Sequence, residues 1–97
     1  MPQIIWTRTS LTDVQRLYRF LAQRNQYTAQ RAVATIKLRV AILKNHPQIG
    51  RPADEMDTKY KELLIDFGDS GYIALYRHDD EVVTVLAIRH QRELGFN

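Results

Sequence analysis

No cysteine occurs in this chain, which excludes a disulfide framework and any thiolate-ligated metal site. No apolar run approaches the roughly 18 residues of a membrane span. The opening MPQIIWTRTS lacks the basic start and long apolar stretch of a secretory signal. A soluble, cytoplasmic protein with no membrane contact is expected. Glycine and proline are sparse, four and three residues, and no linker, repeat or low-complexity tract interrupts the chain. Its 97 residues suit one domain spanning 1–97. With 44% hydrophobic and 26% charged residues, it holds enough apolar material for one modest core. A domain of this size without covalent staples relies on packing, or partly on a partner.

Acidic residues are missing from a long stretch. Between Val14 and Ala53 there is no Asp or Glu, while Arg16, Arg19, Arg24, Arg31, Lys37, Arg39, Lys44 and Arg51 all fall there. Residues 1–53 carry nine basic side chains and one acidic, and residues 54–97 carry five and ten. The net charge of +3 therefore hides a strong polarity. Such asymmetry suits a positive face that attracts an acidic partner, protein or nucleic acid. It also suits a solvated helix face, or one over which the acidic half folds back.

Local patterns set the order of elements. Ile4, Ile5 and Trp6 have strand preference. Leu11, Val14, Leu17, Tyr18 and Leu21 recur at helical steps, predicting a helix over about 11–24. Thr9, Ser10 or Thr12 is its expected cap, with Ser10 and Asp13 resembling a capping box. A second apolar stripe, Ala29, Ala32, Val33, Ile36, Val40 and Leu43, predicts a helix that Thr28 caps and that ends before Pro47. The short link between them implies an antiparallel helical hairpin. Residues 47–59 read as a loop. Beyond it the period becomes two, with Leu63, Ile65 and Phe67 on one face of a strand over 62–67. A Gly68–Gly71 turn, a strand over 72–76, a polar turn over 77–80 and an apolar strand over 82–88 follow. The last is expected to be central, covered on both faces or by a partner strand. The fold class is α+β in β-α-α-β-β-β order, a small antiparallel sheet with the N-terminal helical hairpin packed on it.

The candidate chemistry gathers where the last strand ends. Arg89, His90 and Arg92 follow a buried apolar run. Forked guanidiniums bind phosphate or carboxylate, and an imidazole exchanges protons near neutral pH. Those are the parts a ribonuclease needs. They also suit a polar strand end in which Glu93 pairs an arginine. His46 sits at a helix end, where a cation suits the dipole, and His78 is expected in an exposed turn. With no cysteine, these histidines form no metal motif, and Asp79, Asp80 and Glu81 are read as turn decoration. Gly68 and Gly71 lie between strands, so they make no phosphate loop. Tyr72 and Tyr76 share one strand face. Core packing is the reading preferred for them over base stacking.

Several segments together resemble one family. They are Ile4-Ile5-Trp6, Leu11-Thr12-Asp13-Val14, and the Pro47-x-x-Gly50-Arg51-Pro52 segment after the second helix. Further along come Lys61-Glu62-Leu63, Phe67-Gly68, Ser70-Gly71-Tyr72, Ala74-Leu75-Tyr76 and the ending Val85 to Glu93. Over nearly its whole length the chain resembles the ParE/RelE toxin superfamily of type II toxin–antitoxin systems, and the ParE side of it.

The resemblance implies one of two activities. ParE-like members inhibit DNA gyrase and are not enzymes; RelE-like members cut mRNA on the ribosome. The strand over 62–67 carries Glu62 and Asp66 with no Arg or Lys ahead of Gly68, and Phe96 stands near where RelE-like toxins often have Tyr. Phe lacks the hydroxyl that acid–base or hydrogen-bonding work requires. Both departures favour gyrase inhibition, with growth arrest as its outcome and plasmid stabilisation as its setting. Arg89, His90 and Arg92, with the tail, are then the expected target contacts, or the catalytic set in the nuclease alternative. A cognate antitoxin is the expected partner, bound through Arg31, Lys37 and Arg39 in a hetero-oligomer. No cofactor and no metal are expected. A non-toxic member that only binds its antitoxin, and a general nucleic-acid-binding module, are the remaining alternatives.

Overall fold

The computed structural model describes residues 2–93. Its elements are β1 (Gln3–Trp6), α1 (Arg8–Ala22), α2 (Gln26–Ala41) running into a 3₁₀ turn at Ile42–Lys44, β2 (Arg51–Pro52), β3 (Tyr60–Phe67), β4 (Ser70–Asp79) and β5 (Val82–His90). The five strands form one sheet in the order β1-β5-β4-β3-β2. The α+β fold and the helical hairpin packed on a sheet are as expected. The sheet is mixed, because β1 joins the antiparallel strands in parallel along β5. The loop after α2 contributes the two-residue β2, paired with Lys61 and Glu62 of β3. Among the described residues no helix is long and apolar enough to cross a membrane.

Both helices begin earlier than the apolar stripes suggest. The side chain of Thr7, not that of Thr9, Ser10 or Thr12, caps α1 by accepting from the Ser10 N–H at 3.1 Å. The buried Ser10 hydroxyl returns a bond to the Thr7 carbonyl at 2.8 Å. Asn25, not Thr28, caps α2 by accepting from the Thr28 N–H at 3.0 Å. A cap lies outside the apolar periodicity, so its choice among neighbouring Thr, Ser and Asn depends on where the chain turns. Each such cap stabilises its helix by about 1 kcal/mol.

One core joins the helices to one face of the sheet. Val14 and Leu17 of α1 and Ala32, Ile36 and Val40 of α2 meet Leu63, Ile65, Tyr72, Ala74, Tyr76, Val83, Val85 and Ile88. Truncating a fully buried aliphatic chain such as Ile36 would cost about 2–5 kcal/mol. In β3 the alternation holds, with Leu63 and Ile65 buried and Leu64 and Asp66 exposed. In β5 it breaks once. The register against β4 slips between Leu75 and Tyr76, whose partners are Ala87 and Val85. Leu86 is thus the extra residue of a bulge. The slip brings odd-numbered Val83 and Val85 and even-numbered Ile88 and His90 to the same face.

Helix α1 covers the edge of β5 beyond β1. Thr7 N–H donates to the Val85 carbonyl at 3.1 Å, and the Thr7 hydroxyl to the Leu86 carbonyl at 3.2 Å. Asp13 Oδ2 accepts the Ile88 N–H at 2.9 Å. Asp13 is therefore no capping-box acid; it completes a strand edge that would otherwise leave a part-buried N–H unmet. Arg77, His78 and Asp79 extend β4, so the turn shrinks to Asp80 and Glu81. His78 is half-buried, with its ring bonded to Gln48 and to the Asp80 carbonyl. The twist of a long hairpin carries these polar residues past the apolar run that bounded the expected strand.

Candidate functional site

The strand-end residues come together in a closed turn. Arg89 pairs opposite Ile73 on the sheet face away from the core, and its Nη1 donates to the Glu93 carbonyl at 2.6 Å. His90 points the other way. Its ring meets Tyr72 edge-on, with centroids 5.5 Å apart. Nε2 lies 3.0 Å from Ser70 Oγ, and Nδ1 accepts the Arg92 N–H at 3.1 Å. With Nδ1 accepting, the ring proton sits on Nε2, facing Ser70 Oγ. Both nitrogens are thereby used inside the fold, and neither offers a free lone pair. Arg92 is exposed, and its backbone N–H holds the turn while its guanidinium faces solvent.

Glu93 is the clasp. Its Oε1 accepts both the His90 N–H and Arg16 Nη1 of α1, each at 3.1 Å. Burial pushes this carboxyl up, but the His90 N–H and the bonded, charged Arg16 outweigh it, so its pKa lies below the ordinary glutamate value. The acidic half thus folds back onto the basic one here. Phe96 and the rest of the tail lie outside the described residues.

The three expected partner-binding cations do not share a face. Arg31 lies over the Tyr27 and Phe67 rings, 5.9 and 5.8 Å from their centroids. Arg39 Nε donates to the Leu64 carbonyl on the outer edge of β3 at 3.3 Å. Lys37 belongs to the opposite side of α2. There it lines a groove of about 550 Å³ between β1, α1 and α2, with Ile4, Trp6, Leu11, Val14, Val40 and Lys44. The groove is an apolar trough with two ammonium groups among its lining residues. Periodicity misses it, since β1, α1, α2 and the 3₁₀ turn all supply its lining. Leu11, at one end of the α1 stripe, lines it and is left exposed.

The Pro47-x-x-Gly50-Arg51-Pro52 segment is structural. The buried Tyr76 hydroxyl donates to the Pro47 carbonyl at 2.8 Å and accepts the Gly50 N–H at 3.0 Å. A Cβ at Gly50 would sit 2.6 Å from that hydroxyl and 2.9 Å from the Glu62 carbonyl, so only glycine fits. Arg51 Nε pairs with Glu62 Oε1 at 3.0 Å. Tyr72 and Tyr76 are both core residues.

A helical hairpin packed on one face of a five-stranded mixed sheet defines a small two-layer α+β domain. Residues 4–95 match the family model described as the ParE toxin of the type II toxin–antitoxin system parDE. The chain belongs to that family. It is 33% identical over 81 residues to the toxin RelE3 of Caulobacter vibrioides, covering 84% of this chain and 85% of that protein. It is 28% identical over 94 residues to the toxin RelE2 of the same organism, covering 97% and 100%. Among solved structures it resembles a chain of the chromosomal ParDE system from P. aeruginosa, with a TM-score of 0.76, 22% identity and coverage of 93% and 96%. It also resembles a chain of the RelBE2 toxin–antitoxin complex from Mycobacterium tuberculosis, with a TM-score of 0.60, 24% identity and coverage of 94% and 100%.

Proposed function

We propose that this chain is the toxin of a type II pair that acts by binding and inhibiting DNA gyrase, and that an antitoxin neutralises it. The observation that carries the binding reading is the engagement of both His90 nitrogens. A proton-transferring residue needs a nitrogen that reaches its substrate, and this ring is spent on Ser70 and Arg92. Arg89 and His90 then hold the turn, and the outward guanidinium of Arg92 makes the target contact. Neutralisation uses the apolar groove. An amphipathic segment laid along Ile4, Trp6, Leu11 and Val14 would meet Lys37 and Lys44, which suit an acidic antitoxin.

The names of the Caulobacter relatives favour a second reading, cleavage of mRNA on the ribosome with Arg89, His90 and Arg92 as the catalytic set. One experiment separates them. Purified gyrase is assayed for supercoiling with this protein, with and without its antitoxin. Inhibition or accumulated cleaved DNA, reversed by antitoxin, supports the gyrase reading. A folded protein without effect on gyrase that cuts mRNA in a translation extract, and loses that cleavage in a His90→Ala variant that is shown to remain folded, replaces it with the nuclease reading.

A further inference from the structure

Two exposed aromatic rings, each with a guanidinium beside it, stand near the end of the helical hairpin. Phe20 near the end of α1 and Tyr27 in the first turn of α2 are 60% and 69% exposed. Neither belongs to the core. Each ring lies beneath a guanidinium. Arg24, in the link between the helices, sits 5.7 Å from the Phe20 centroid, and Arg31 sits 5.9 Å from that of Tyr27. Arg19 and Phe20 border a hollow on α1 with Gln23 and with Arg16, which reaches Glu93. No ion pair joins Arg19, Arg24 or Arg31 to a carboxylate among the described residues. The nearest acidic neighbours in sequence are Asp13 and Asp54. Asp13 is turned toward Ile88 and Arg16.

We infer that this hairpin end binds single-stranded nucleic acid, stacking bases on Phe20 and Tyr27 and neutralising phosphates with Arg19, Arg24 and Arg31. The charge calls for a polyanion. The rings decide which one. Bases of a single strand present flat π-faces that stack on exposed aromatics and guanidinium planes whatever their identity. A duplex hides those faces and offers phosphates only. An acidic peptide offers carboxylates and seeks an apolar trough for its remaining side chains, and the trough lies elsewhere, between β1, α1 and α2. The inference stands apart from the choice between gyrase and ribosome, since either target handles nucleic acid.

Fluorescence anisotropy with a labelled oligothymidine of about 20 nucleotides, long enough to span one such surface, tests it directly. A matched duplex and polyglutamate serve as competitors. The wild-type chain is expected to prefer the single strand over both. Phe20→Ala with Tyr27→Ala should weaken oligothymidine binding about ten-fold or more, with duplex binding unchanged. The Leu pair at the same positions keeps apolar bulk without a π-face and should behave like the Ala pair, which guards against a folding artefact. Arg19→Gln, Arg24→Gln and Arg31→Gln together should flatten the salt dependence by a slope of about two. Three results would overturn the inference: no binding of the oligonucleotide, equal loss for strand and duplex in the aromatic variants, or displacement by polyglutamate at equal charge. The last would make the surface an acidic-protein contact instead.

Discussion

Two regions of this molecule treat their charged side chains in opposite ways. In the turn after β5, the His90 imidazole and the Glu93 carboxylate are consumed within the fold, and Arg89 Nη1 donates to the Glu93 carbonyl. Along α2 and at the hairpin end, Lys37, Lys44, Arg19 and Arg24 stand beside apolar or aromatic surface without a carboxylate partner among the described residues. A dense polar motif is therefore not the same thing as an available one. Hydrogen-bonding groups close in sequence satisfy one another when the backbone turns sharply. Groups on a helix face stay open where no strand or turn reaches them, unlike Arg16, Arg39 and Asp13.

That contrast is breakable, and the largest expected effect is at His90. His90→Ala removes the Ser70 and Arg92 bonds and the packing on Tyr72, and should lower unfolding stability by about 3 kcal/mol in urea denaturation. A change below about 1 kcal/mol would mean that the ring is not a structural clasp. Next comes Asp13→Ala, which leaves the Ile88 N–H unmet on the β5 edge and should cost about 1–3 kcal/mol. Asp13→Asn keeps an acceptor there and should recover a large part of that loss.

Lys37→Glu with Lys44→Glu should change stability by less than about 0.5 kcal/mol, since both are exposed. Under the proposed function, the same pair should weaken antitoxin binding and reduce its salt dependence, read by titration calorimetry. Unchanged affinity would remove the groove from that complex. Arg92→Ala should likewise leave the melt unmoved while relieving growth arrest.

The smallest effect is a pH dependence. The folded-state pKa of Glu93 is lowered, so its contribution is present above the unfolded glutamate value and lost as pH falls through the folded one. Acid melts of Glu93→Gln should therefore lose less stability across that window than the wild type does. Parallel curves would show that the Arg16 and His90 contacts leave stability indifferent to the charge on Glu93.

Much of the fold is legible in the amino-acid sequence. The helical stripes, the alternation of Leu63 and Ile65, and the apolar run of β5 each report burial of one face, and burial follows from local periodicity. So the α+β class and the helical hairpin follow from sequence, as does the family resemblance. The strand-end cluster Arg89, His90 and Arg92 is visible as composition, but its closure is not. Whether an imidazole faces substrate or Ser70 depends on the Leu86 bulge, which sets the side of the sheet that His90 takes. Nor can spacing show that Asp13 reaches Ile88 or that Gly50 yields to Tyr76, whereas the different sides that Arg31 and Lys37 take on α2 follow from their six-residue separation once the helix is recognised. Which segments bury which faces is written in the chain itself, because it is a property of neighbours three, four or two residues apart. Which polar groups are satisfied and which remain open is settled in three dimensions, because it depends on where the backbone turns, as from His90 to Glu93, and on contacts between distant residues, as from Asp13 to Ile88.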